Sequence, residues 1–143
     1  MSKSYGFNVK SKQTQVVGVL PPDLMKEYFP SCSDSNVYLT PRRIRHIKKK
    51  HAKDLLCFGK HIPDMIVRPD YVGRSDEENL KNKEHIELYL LPNLILPIHQ
   101  INGRLIIASF YHLDNHEYRL KERLDDNRIS TYSDVEIPSL LYA

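Results

Sequence analysis

Residues 39–56 read LTPRRIRHIKKKHAKDLL and hold two histidines, His46 and His51, among seven lysines and arginines. Histidine gives and takes protons near neutral pH, because its ordinary pKa is about 6.5. Lysine and arginine hold phosphate oxygens, arginine through two parallel hydrogen bonds. The segment therefore carries candidates for acid–base work, His51 and His46, beside candidates for polyanion binding, Arg42, Lys48, Lys49 and Lys50. Three residues farther along complete a second group: Arg104, which could clamp a charged oxygen, and Ser109 and Tyr111, whose hydroxyls could hold one. Each has a plainer reading. His51 serves as readily as a core histidine, His46 and the lysines as a solvated face, Arg104 as a turn residue and Ser109 as a small residue in a packed strand.

These residues need elements to position them. Thr40 can cap a helix whose first position is Pro41, where no backbone donor is needed. Ile44, Ile47, His51 and Leu55 follow at helical spacing and form one face. At about 100° per residue, Arg42, His46, Lys49, Lys50 and Lys53 fall on the opposite face. The two histidines should then sit apart, His46 amid positive charge and His51 in the apolar stripe beside Lys48. Downstream, LILPIHQINGRLIIASFYHL contains Asn102-Gly103, the pair that a two-residue hairpin turn demands. Its flanks, 94–101 and 104–113, should be antiparallel strands, with HIELYLL (85–91) preceding them in a meander. Strict alternation would put Leu105, Ile107, Ser109 and Tyr111 on one face, and Arg104, Ile106, Ala108, Phe110 and His112 on the other. Pro97 suggests a bulge or a missing donor within its strand.

A short helix should follow Pro21-Pro22. Residues 62–67 read as a helical turn or strand, DYVG as the start of the sheet, and 74–84 as an exposed loop. Residues 117–126 suit a charged helix and 133–143 an extended end. The expectation is an α+β domain, with N-terminal helices packed on one face of a four-stranded antiparallel sheet. It divides into an N-terminal extension (1–37), a core (38–126) and a tail (127–143).

The 143 residues suit one domain, and the net charge is only +3. Bases crowd between Arg42 and Arg68, however, while acids gather at 76–87 and 114–136, so the positive charge is local rather than general. Cys32 and Cys57 form no metal-binding pair and no disulfide framework; both read as reduced, small apolar residues. HExxH and EF-hand spacings are absent, as are GxGxxG and P-loop patterns, so no metal and no cofactor is expected. His112-Leu-Asp114-Asn-His116 has metal-like residue types without supporting spacing, and His85, His99, His112 and His116 read as structural or exposed. No stretch approaches a membrane span, and a cytoplasmic location is expected.

The order of segments carries a resemblance. HIKKKH on a helix, an IP-x-MI-x-x-PDYV connection, an NGR hairpin and an IIASFYH strand together resemble the phage-type nucleases of the barnase–EndoU–colicin–RelE superfamily, over about residues 38–124. The resemblance implies two helices on a four-stranded antiparallel sheet and a metal-independent endoribonuclease borne by a phage, toxin system or mobile element. It implies RNA as partner, with tRNA one candidate, an immunity or antitoxin protein as inhibitor, and delivery into a target cell as one route. Carried onto this chain, the active residues are His46 and His51, Arg104, and Ser109 with Tyr111. The rival expectation is a non-catalytic RNA- or protein-binding module built on helix 41–56.

Overall fold

A computed structural model describes residues 8–74, 84–90, 93–112, 116–126 and 128–132. In chain order the elements are β1 (Gln15–Val19), α1 (Pro22–Tyr28), β2 (Asn36–Leu39), α2 (Pro41–Phe58), a 3₁₀ turn (Gly59–His61), α3 (Ile62–Val67), β3 (Tyr71–Gly73), β4 (His85–Leu90), β5 (Leu94–Ile101), β6 (Arg104–Ile107), β7 (Tyr111–His112), α4 (His116–Asp125) and β8 (Ile129–Thr131). The fold is α+β, as the pattern of elements implies. The expected loop at 74–84 and the tail at 133–143 lie largely outside the described residues.

The sheet is larger than the four antiparallel strands expected. Its order is β1-β2-β6-β5-β4-β3-β8, with β7 also on β5, and it is open and mixed. All pairs are antiparallel except β2 with β6, where Val37 lies opposite Leu105 and Tyr38 opposite Ile106. The extra strands come from both ends of the chain. QVVGV and NVYL are short β-branched and aromatic runs that need distant partners to become strands, so local pattern alone does not announce them.

The meander forms as the residue pattern implies. Asn102 and Gly103 have φ of 53° and 77°, the left-handed geometry of a type I′ turn, and Ile101 pairs with Arg104 across it. Thr40 accepts a hydrogen bond from the Arg43 N–H at 3.1 Å and so caps α2. Residues 62–67 are helical, and α3 packs against β1 and β4.

One face of the sheet is sealed by α1, α2 and α3. Leu24, Ile44, Ile47, Leu55, Ile62 and Ile66 meet Ile86, Leu88, Leu96, Ile98, Leu105 and Ile107 in the main core. Full burial of one such aliphatic side chain stabilises by about 1.5–3 kcal/mol. The helices are not all on this face. Tyr89 and Ile95, which alternate with the core residues of β4 and β5, join Ile129 in a second cluster, against which Leu124 of α4 packs. Gly73 of β3 leaves no room for a side chain, because a β-carbon there would collide with the Arg128 carbonyl preceding β8.

The strand after the hairpin does not alternate strictly. Ile98 pairs with Ile107, but Ile95 pairs with Tyr111, so three steps along β5 answer four along its partner. One extra residue is thus accommodated between β6 and β7, a β-bulge. It lies opposite Pro97, whose carbonyl accepts from the Ala108 N–H at 2.9 Å and which has no N–H to offer in return. The extra residue reverses the phase. Phe110, not Ser109 or Tyr111, enters the main core with Leu105 and Ile107, and Tyr111 turns to the second cluster. The single-face grouping of Leu105, Ile107, Ser109 and Tyr111 is therefore corrected by the bulge.

Candidate active site

Helix α2 keeps its apolar stripe, with Ile44, Ile47 and Leu55 buried, but it kinks at His51, whose φ of −140° and ψ of 45° are not helical. One turn beyond the kink stands Asp54, the only acid in the helix. Its side chain is 8% exposed. A buried carboxylate near a helix C-terminus is doubly disfavoured, by desolvation and by the negative end of the helix dipole. It therefore needs donors, and β7 supplies two of them.

The Asp54 Oδ1 lies 2.6 Å from Nδ1 of His112. Its Oδ2 accepts from the backbone N–H of His112 at 3.3 Å and lies 3.8 Å from Nδ1 of His51. Tyr111 stacks on His51, with ring centroids 5.2 Å apart and planes 27° from parallel. Two imidazoles from different elements thus converge on one carboxylate, and an aromatic ring covers one of them. The exposures separate the roles open to each group. His51 and His112 are 33% and 42% exposed in their side chains, so a ligand in solvent can reach either ring but not the carboxylate behind them.

The candidates from sequence fall into three sets. His51 and Tyr111 are together. His46 remains on the exposed side of α2, where desolvation lowers its pKa from the ordinary histidine value and Lys50, Arg43, His51 and Lys49 lower it further. At neutral pH it is therefore the uncharged member of a cationic surface. Arg42, Lys48, Lys49 and Lys50 are exposed, and no described carboxylate lies within ion-pair distance of any lysine or arginine of α2. That leaves a strip of positive charge leading along the helix to the kink.

Arg104 and Ser109 are not brought to the histidines. Arg104 pairs with Ile101 and Tyr111 with Ile95, which places them at opposite ends of β5, roughly 20 Å apart at about 3.3 Å per residue. The Arg104 guanidinium instead lies 5.1 Å above the ring of Tyr38. Ser109 is half-buried in the bulge and makes no hydrogen bond to His51, Asp54 or His112 among the described residues.

Two members of the cluster escape sequence reasoning. His112 reads as an ordinary exposed histidine because nothing local ties it to α2. Asp54 does leave a signal: a lone acid among seven bases, three residues after a histidine on the apolar stripe, falls close to that stripe on a helix. A carboxylate held there needs a buried cationic or donor partner. No group of three or more His, Cys, Asp or Glu among the described residues is arranged to hold a metal ion.

The cysteines are both free, Cys32 half-buried and Cys57 exposed. No helix among the described residues is long and apolar enough to cross a membrane.

No family model matches the chain, and no solved structure matches it. A stretch of 64 residues is 36% identical to 2-phospho-L-lactate guanylyltransferase of Methanocaldococcus jannaschii, covering 45% of this chain and 28% of that protein. The chain thus spans little more than a quarter of the length of that curated relative, and this local likeness does not assign it to a family.

Proposed function

We propose that this protein is a metal-independent endoribonuclease whose site is the junction of α2 and β7. A single observation carries the reading: two solvent-reaching histidines, His51 and His112, gathered on one buried carboxylate at the end of a basic helix. RNA carries its own nucleophile, the 2′-hydroxyl. In the proposed reaction one imidazole takes the 2′-hydroxyl proton as the oxygen attacks the adjacent phosphorus. The other imidazole gives a proton to the departing 5′-oxygen. The P–O5′ bond breaks, and the products are a 2′,3′-cyclic phosphate and a free 5′-hydroxyl. The ammonium and guanidinium groups of α2 bind the flanking phosphates, and Tyr111 offers a ring near which a splayed base can stack.

The resemblance to the barnase–EndoU–colicin–RelE nucleases gains chemical content in this proposal. The helix His and the strand Tyr that it implies meet in space, while His112 takes a place that it leaves unnamed. An RNA partner, an inhibitor protein and an origin in a phage, toxin or mobile element follow from the same proposal. The rival, a non-catalytic RNA clamp, accounts for the exposed lysines but has no use for a desolvated Asp54 between two histidines.

The test is incubation of the purified protein with total RNA in the presence of EDTA, reading the fragment ends. New 2′,3′-cyclic phosphate termini are the expected result. Intact RNA, bound but uncut, would establish the clamp instead.

A further inference from the structure

Resting on that reading, we infer that Asp54 is a positioning residue that fixes the tautomer of His112, holding the ring hydrogen on Nδ1 so that Nε2 is the nitrogen that handles the substrate's proton. An ionised carboxylate can only accept hydrogen bonds. At 2.6 Å from Oδ1, the His112 Nδ1 must therefore supply the hydrogen, whichever charge state the ring is in. A neutral imidazole has one N–H, so a hydrogen committed to Nδ1 leaves Nε2 as the basic nitrogen.

Asp54 holds more than the ring. Its Oδ2 accepts from the backbone N–H of the same residue, so one carboxylate grips His112 at main chain and side chain together. This double grip joins the end of β7 to α2 and sets the direction of the imidazole as well as its tautomer. His51, whose Nδ1 lies 3.8 Å from Oδ2, is beyond direct hydrogen-bond distance, so the same carboxylate treats the two histidines unequally. The device depends on burial. In water, competing hydrogen bonds would let either tautomer form, whereas the 8% exposure of Asp54 keeps solvent from substituting for it.

The geometry also dictates which substitution is informative. In Asp54→Asn the amide has one acceptor and one donor end. The backbone N–H of His112 requires the oxygen on the Oδ2 side, which turns the amide NH₂ toward Nδ1. A donor facing Nδ1 forces the ring hydrogen to Nε2. A change of one atom type, with shape retained, should therefore reverse the tautomer.

The experiment is nitrogen-15 NMR of the histidine rings in the wild-type chain and in Asp54→Asn, with RNA cleavage and thermal melting measured on the same samples. In its neutral form, wild-type His112 is expected to carry its ring hydrogen on Nδ1 and not on Nε2. Asp54→Asn should show the reverse and lose about 10²–10⁴-fold in cleavage while remaining folded. A wild-type His112 protonated on Nε2 overturns the inference whether or not the variant folds. So does a variant with reversed tautomer and undiminished cleavage. Wild-type protein that leaves RNA intact but shows the Nδ1-protonated ring would sink the nuclease reading and leave the positioning role of Asp54 standing.

Discussion

The two ends of β5 carry clusters of similar composition and different character. At the Leu94–Ile95 end, Asp54, His51, Tyr111 and His112 come from a helix and a strand that are far apart in sequence. At the Ile101 end, Asp34, Tyr38 and Arg104 meet beside the hairpin: the Tyr38 hydroxyl donates to Asp34 at 2.7 Å, and Arg104 lies over the Tyr38 ring. Each end has a carboxylate, an aromatic ring and a basic group. The first carboxylate is buried and the second reaches solvent. The Asp34 carboxyl is held below its ordinary pKa chiefly by the Tyr38 hydroxyl and then by the Asn36 N–H, both supplied from within four positions along the chain. Asp54 receives its donors from β7, by tertiary packing. Desolvation, rather than residue type, is what separates a site that can direct protons from a surface network.

The largest expected effects lie at the buried end. His51→Ala and His112→Ala should each lower RNA cleavage by on the order of 10²-fold or more while binding persists, measured as initial rates on a labelled oligonucleotide. His46→Ala should cost less, since His46 stands outside the cluster. If His51→Ala and His112→Ala cut normally, the buried cluster is structural and the contrast between the two ends collapses.

The basic strip of α2 comes next. Reversing Lys49 and Lys50 to Glu should weaken RNA binding and flatten its salt dependence. Each phosphate that the protein ceases to neutralise reduces the logarithmic slope by roughly 0.7 on single strands. Fluorescence titrations at several salt concentrations measure this directly, and an unchanged slope would reduce the strip to a solvated face.

Arg104→Ala should change cleavage by no more than a few fold, because roughly 20 Å of strand separates it from the histidines. A loss approaching that of His112→Ala would mean that the substrate bridges both ends and that they act as one site. The smallest effect is electrostatic. Lys50 is among the charges that depress His46, so Lys50→Gln should move the His46 titration upward, toward the ordinary histidine value, as followed by proton NMR. A downward movement would contradict the proximity of the two side chains.

Much of the frame is local enough to read from the chain. Thr40 and Pro41 announce the start of α2, Ile44, Ile47 and Leu55 its buried face, and Asn102-Gly103 the hairpin, because capping, helical periodicity and turn geometry depend on neighbours within a few residues. The exposure of Lys48, Lys49 and Lys50 follows from the same periodicity. What the chain alone could not decide is whatever depends on distant partners. The parallel pairing of β2 with β6 joins residues nearly seventy positions apart, and α4 covers the second face only because β8 returns beside β3. The bulge opposite Pro97 shifts the phase by one residue, which alternation counted from Arg104 cannot register, and it moves Ser109 and Tyr111 off the face they were expected to share. The site itself is the extreme case. His51 and Tyr111 were visible as residue types, but the meeting of Asp54 with His112 exists only where the end of α2 passes the end of β7. A carboxylate acquires its partners from the burial that folding imposes, and burial is a property of the packed chain rather than of any segment within it.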